Sequence, residues 1–350
     1  MRVRIHASTV KKLFATRRDP SPASHKTRRL LIWLTGVLLL VLLTWAARWV
    51  QSSQTPATRT IAFIPRAAGS MLWEAARLGA TKAAENLNCH IYWNAPTTEA
   101  DAAGQISLIE KVAQNKYGGL VLAPNHTLAM LVPVRRALSA GLPVVLVSAP
   151  LDLPANERLG YIVNDDEKMG ELAAAEAARL VHGRGPIALV GLTRSAPGIA
   201  SRVRSAERYL AGRFPDMRVL SRLAGAYDTS HAQELTDGAL DAHPGLQAIV
   251  SFTATSTRGA HAALKSRSLH QSIRLIGCEQ DSDLISYVRN GEIAAVLAEN
   301  TYRMGYEAVG LISASWAGKP MPAQVVIPPM LITRDNVDSA EANLYKHFTR

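Results

Sequence analysis

A chain of 350 residues, 48% hydrophobic and 19% charged, can bury a sizeable core and suggests two or three domains. Its formal charge of +11 does not mark a nucleic-acid-binding surface, because residues 1–29 hold nine Lys or Arg against Asp19 alone and so carry +8 of the total. The two cysteines, Cys89 and Cys278, belong to no CxxC or Cys/His metal spacing and read as isolated buried thiols.

After that basic segment, residues 30–47 run without a charge. As a helix they are nearly long enough for a bilayer core of about 30 Å. Trp33 and Trp45 sit near the ends as interfacial residues would. The expectation is a transmembrane signal anchor whose basic side stays cytoplasmic. A signal peptide is the alternative, since Thr44-Trp45-Ala46 ends in a small residue, although the apolar run is long for one. Either version places the body outside the cytoplasm. Residues 48–59, polar and containing Pro and Ser, read as a linker.

The first unit of the body sets the pattern for the rest. Ile61, Phe63 and Ile64 form a short apolar strand. Gly69-Ser70 then reads as a turn and N-cap, and Leu72, Trp73, Ala76 and Ala80 recur at helical spacing. Further strands are expected at 90–93, 119–122, 143–147, 187–190, 218–223, 248–250, 274–276, 294–297 and 325–327, with helical patterns between most of them. Thr98-x-x-Asp101, Asn164-x-x-Glu167 and Ser230-x-x-Gln233 fit capping-box spacing. This alternation predicts α/β lobes with parallel sheets and helices on both faces. The length predicts two of them, with a seam near Tyr161–Asp165 after an irregular stretch at 149–159.

Catalytic signatures are absent. The sequence has no Gly-x-Ser-x-Gly elbow, no Walker A loop and no GxGxxG after the first strand, and its ten histidines are scattered, with His243 and His261 on or beside surface helices. Asp165-Asp166-Glu167 reads as negative charge at a helix N-terminus. The expectation is therefore not an enzyme, with no catalytic residue, no metal and no cofactor.

The order and spacing of several segments carry a family resemblance. They are the opening unit at 60–87, Gly119-Leu-Val-Leu-Ala-Pro124, Gly141-Leu-Pro-Val-Val145, Asn164-Asp-Asp-Glu-Lys-Met-Gly170, Ala242-His-Pro-Gly-Leu-Gln-Ala-Ile249, Arg274-Leu-Ile-Gly277 and Asn290-Gly-Glu-Ile-Ala-Ala-Val296. In these the chain resembles the type I periplasmic sugar-binding proteins of ribose and galactose type, whose fold is shared by the effector domain of lactose-repressor-type regulators. The resemblance implies two Rossmann-like, doubly wound parallel-sheet lobes joined by a three-crossing hinge. It implies an N-lobe of 60–164 plus 300–328 and a C-lobe of 165–299 plus 329–340. It also implies a sugar-like ligand gripped by Arg66, Ser70, Leu72, Trp73, Ser148, Arg202, Tyr227, Thr253, Glu279 and Glu299.

Arg202 keeps the family's arginine, whose planar fork can bind two hydroxyls or a carboxylate. Glu279 and Glu299 stand where the family has Asp and Gln. Ser148-Ala149 replaces an Asp-Arg pair, Ala123 an Asn, and Thr253-Ala254 an Asn-Asp pair, so ribose itself is not the expected ligand. The implied function is an extracytoplasmic solute-binding protein serving an ABC transporter permease. The alternative is a membrane-tethered sensor addressing a membrane signalling protein, a kinase or chemoreceptor. A lactose-repressor-type regulator is disfavoured, because an apolar segment stands where a helix-turn-helix would be.

Overall fold

The structure, a computed structural model, describes residues 30, 32–45, 59–69, 71–193, 196–225 and 228–339. The chain forms two compact units, Met1–Ala57 and Thr58–Arg350. In the first, residues 32–45 are helical (α1), with Trp33, Trp45 and the leucines between them exposed. Among the described residues no helix is long and apolar enough to cross a membrane. The apolar run at 30–47 lies partly outside the described residues, as does most of the linker at 48–59.

The second unit holds two six-stranded sheets. The first has the order β11-β5-β4-β3-β1-β2. Its strands are β1 (Thr60–Ile64), β2 (His90–Trp93), β3 (Gly119–Leu122), β4 (Val144–Val147), β5 (Leu159–Asn164) and β11 (Gln324–Ile327). The second has the order β12-β10-β9-β8-β6-β7, from β6 (Gly185–Leu192), β7 (Met217–Ala224), β8 (Ala248–Ser251), β9 (Arg274–Cys278), β10 (Ala295–Ala298) and β12 (Met330–Thr333). All neighbours run parallel except β12, which is antiparallel to β10. The central strands β3, β4, β8 and β10 are buried along their whole length, which is why they read as unbroken apolar runs.

Helices cover both faces of each sheet. In the first lobe α2 (Met71–Asn86) and α10 (Thr301–Trp316) lie on one side, with α3 (Ala102–Gln114) and α4 (Thr127–Ser139) on the other. In the second, α5 (Asp166–Leu180) and α6 (Pro197–Arg213) oppose α7 (Thr229–Ala242), α8 (Ala254–Ser266) and α9 (Ser282–Arg289). The chain passes from sheet to sheet after β5, after β10 and between β11 and β12.

Two strands were not legible in the sequence. Gly160 interrupts the apolar run of β5, and it is there because a side chain would meet the Pro322 carbonyl at 3.1 Å. The strand occupies part of the stretch expected to be irregular and a seam, and it pairs with both β4 and β11. β12 hides behind Pro328-Pro329, which the sequence punctuates as a turn.

The three expected capping boxes are replaced by single acidic caps. Asp101 accepts from the Gly104 amide, Asp165 from Lys168 and Asp228 from His231. A carboxylate one turn from the orphan amides competes well with a hydroxyl, since it also meets the helix dipole. Among the described residues, a capping box lies instead at Thr253/Ser256 on α8. His261, expected near the surface, is buried, stacked on Tyr287 and hydrogen-bonded to Glu292 at 2.8 Å.

Glycines set how closely the helices approach. A Cβ on Gly79 would lie 2.0 Å from the Tyr302 carbonyl oxygen, and one on Gly305 2.1 Å from that of Ala76, so α2 and α10 touch backbone to backbone. Gly310, also on α10, has open space around it. Gly305→Ala should therefore cost about 1–3 kcal/mol through overpacking, whereas Gly310→Ala should stabilise by about 0.4–1 kcal/mol. Urea unfolding of the two variants checks the opposite signs.

Candidate ligand-binding crevice

In open parallel sheets, ligands sit outside the carboxyl ends of the strands. At these ends the first lobe places Arg66 after β1, Ala123 after β3 and Ser148 after β4. The loops are tied together by Gln105, a fully buried side chain on α3. Its Nε2 donates to the carbonyls of Pro65 (3.0 Å) and Ala123 (2.9 Å), while its Oε1 accepts from the Asn125 amide. Arg66 Nη2 donates to Ser148 Oγ at 3.4 Å, and Arg66 Nε is buried without a hydrogen-bond partner.

In the second lobe the guanidinium of Arg202, on α6, is almost wholly buried and surrounded by carboxylates. Nε donates to Asp166 Oδ1 (2.6 Å), Nη1 to Glu279 Oε1 (3.1 Å) and to the Phe252 carbonyl (3.2 Å), and Nη2 to Glu299 Oε1 (2.5 Å). These partners come from the first turn of α5, the end of β9, the end of β8 and the crossing after β10. Gly170 permits the arrangement, since a Cβ there would meet the Arg202 carbonyl oxygen at 2.0 Å. Glu279 Oε2 also accepts from the Ala254 amide, and Gln280 bonds both the amide and the carbonyl of Glu299.

The charges perturb one another. Burial weakens the guanidinium's hold on its proton, but Glu299, Glu279 and Asp166 outweigh it and push the Arg202 pKa well up. Burial pushes the Asp166 carboxyl up, against the pull of Arg202, and does the same to Glu279, where the Glu299 charge adds to it. Burial also pushes the Cys278 thiol up to about 12.

Ser148 and Glu279 share a backbone peculiarity. Each is the residue just past the fourth strand to appear in its lobe, and each has a left-handed φ of 68°. Each donates its amide to the adjoining strand, Ser148 to Ile162 and Glu279 to Leu297. Non-glycine residues in this region cost about 1–3 kcal/mol and concentrate at functional sites.

Of the residues read from the sequence, Arg202, Glu279 and Glu299 come together, with Thr253 beside them as the N-cap of α8 and its hydroxyl engaged with Ser256. Arg66 and Ser148 form a second group. Trp73, read as a ligand contact, is instead 2% exposed in the first lobe's core, and Leu72 packs against the same core. Ser70 and Tyr227 lie outside the described residues. Sequence reasoning missed Asp166, read as helix-end charge. Asp165 performs that role, and the second Asp of the pair turns to Arg202. It also missed Gln105, for which an amphipathic helix pattern offers no signal beyond a polar residue on an apolar face. Among the described residues no three His, Cys, Asp or Glu are grouped to hold a metal ion.

Two doubly wound lobes with polar side chains gathered at their strand ends define a two-lobe binding protein. The chain belongs to the periplasmic binding protein domain family, whose pattern matches residues 61–320, and the type I sugar-binding kinship read from the sequence holds. Its relatives bind solutes rather than transform them, and this chain is not an enzyme. It is 21% identical to the D-allose-binding periplasmic protein of Escherichia coli over 77% of this chain and 89% of that one. It is 23% identical to the ribose import binding protein of Bacillus subtilis over 67% and 74% respectively. A solved carbohydrate transporter solute-binding protein from Agrobacterium radiobacter, in complex with D-arabinose, has the same fold. The TM-score is 0.71, with 21% identity over 83% of this chain and 99% of that one.

Removing the guanidinium would leave three carboxylates crowded together and unpaired. Arg202→Leu should cost about 3–5 kcal/mol at neutral pH, and part of that loss should return on acidification as the carboxyls take up protons. In the wild type, folding raises the proton affinity of Asp166 and Glu279. The folded state therefore binds more protons, and their contribution to stability falls as pH rises from the ordinary carboxylate range upward. Glu279→Gln should flatten that slope in chemical denaturation followed across pH.

Proposed function

We propose that the two lobes close on one sugar or sugar-like solute outside the cytoplasm and deliver it to the permease of an ABC transporter. The observation that carries this reading is the pairing of polar groups at the strand ends of both sheets. Arg66 and Ser148 lie at one set, and Arg202 with Asp166, Glu279 and Glu299 at the other. The sugars for which these relatives are named, or with which they were solved, D-allose, ribose and D-arabinose, favour a monosaccharide-sized solute. Hinge closure about the three crossings, near Asn164, Glu299 and Pro328-Pro329, would bring the two groups onto opposite sides of the ligand. On this reading Arg66, Ser148, Thr253, Glu279 and Asp166 touch the ligand. Arg202 and Glu299 hold them in place, and Trp73 and Leu72 act through packing.

Family membership implies a location outside the cytoplasm, and the apolar run at 30–47 behind nine basic residues supports a retained anchor in the inner membrane. N-terminal sequencing of membrane-bound protein should find residues 1–47 intact. A mature start near Ala47 would instead mean a cleaved signal peptide.

Ligand binding is tested by a thermal-shift screen of the full-length protein against pentoses, hexoses, polyols and amino sugars. A solute at about 100 times its Kd should add about 2.7 kcal/mol of stability, or several degrees in Tm. Uniform silence from well-folded protein would sink the sugar-binding reading.

A further inference from the structure

Resting on the reading that the crevice takes a sugar-like solute, we propose that this solute carries an amine: an amino sugar or aminopolyol whose ammonium group sits against Asp166 and Glu279. The argument begins with the arginine. A guanidinium that gripped a ligand's hydroxyl oxygens would keep donors free for them, yet four of the five N–H groups of Arg202 are taken within the lobe. The side chain is 5% exposed, whereas Asp166 is 20% and Glu279 29% exposed. The part of the cluster that solvent reaches is therefore carboxylate, an acceptor, and not guanidinium, a donor.

Charge points the same way. Three carboxylates against one guanidinium leave a formal −2 when all are ionised. Cations on the neighbouring helices are engaged elsewhere, Arg258 with Asp281 and Asp283, and Lys168 with Glu171. Neutral hydroxyls could donate to these oxygens but would leave the charge uncompensated as closure excludes water, and in such a setting an unbalanced charge is costly. An ammonium supplies three donors and the missing charge together. Burial raises the proton affinity of Asp166 and Glu279, so both carboxylates favour a positive partner.

A separate observation in the other lobe fixes which kind of amine fits. Arg66 Nε is buried without a partner, and Arg66 Nη2 has only a long contact to Ser148 Oγ. That orphan donor calls for an oxygen acceptor. The two lobes thus present opposite polarity, a donor in the first and carboxylates in the second. A solute with an ammonium at one end and ring or hydroxyl oxygens at the other satisfies both, whereas a bare alkylamine would leave Arg66 unanswered and a sugar acid would be repelled by the carboxylates.

The test is isothermal titration of the full-length protein, in detergent, with D-glucosamine, D-galactosamine and D-mannosamine. Each is measured beside its neutral parent hexose and the corresponding uronate, with pentoses and unsubstituted polyols in the same series. At least one amino sugar should bind about tenfold or more tightly than its parent, the uronates should be weakest, and added salt should weaken the amino sugar more than the parent. Glu279→Gln, or Asp166→Asn should that variant fold poorly, should shrink the ratio between amino sugar and parent. A neutral sugar binding more tightly than every amino sugar would overturn the inference and leave the solute-binding reading standing. Silence from the whole series, with the protein folded, would overturn both.

Discussion

The buried guanidinium of Arg202 is the constraint around which the second lobe is arranged. None of the three carboxylates that meet it could be buried alone, and neither could the arginine. Together they join the first turn of α5, the tip of β9 and the crossing after β10 to one point on α6. Two of those partners, Asp166 and Glu299, stand directly beside chain crossings, so the geometry of the lobe and the path of the hinge are set by the same ion cluster. The backbone contact at Gly170 holds α6 at the distance the cluster needs.

A similar close approach recurs in the first lobe, where Gly79 and Gly305 bring α2 and α10 into backbone contact. Helices packed this tightly behave as one block with the sheet beneath them, because interiors at crystal-like density yield little. The three crossings join these blocks, and two of them carry the acidic residues of the cluster or adjoin them.

How much of this was readable from residues alone depended on the scale of the signal. Alternating apolar runs and helical periods placed ten of the strands, because parallel strands buried on both faces announce themselves as unbroken runs such as Val144–Val147. β5 and β12 escaped, one split by Gly160 and the other masked by two prolines. Each lies where a neighbouring backbone or a chain reversal overrules local preference. Arg202, Glu279 and Glu299 were singled out by family resemblance, yet the sequence held no trace of their meeting. Residues separated by 77 and 97 positions are joined by topology alone. The roles of neighbouring acids were harder still. Asp165 and Asp166 are chemically identical, and only the rotation of one residue about a helix start makes the first a cap and the second a partner for arginine. Trp73, named as a ligand contact by the same resemblance, packs in the first lobe's core on α2, as its helical spacing with Ala76 and Ala80 also indicated.

Ser148 and Glu279 occupy equivalent positions in two lobes of like strand order, and both are held in a backbone region that bulky and β-branched side chains avoid. Diversification at these two places is therefore channelled. A change that keeps the bend can draw on glycine and small or flexible polar residues, while most apolar substitutions would be resisted by the backbone before any ligand was consulted. Because the two positions sit in separate lobes, one can drift toward charge while its counterpart remains neutral, with neither sheet disturbed. A scaffold of two like lobes can change at one strand end without changing at the other.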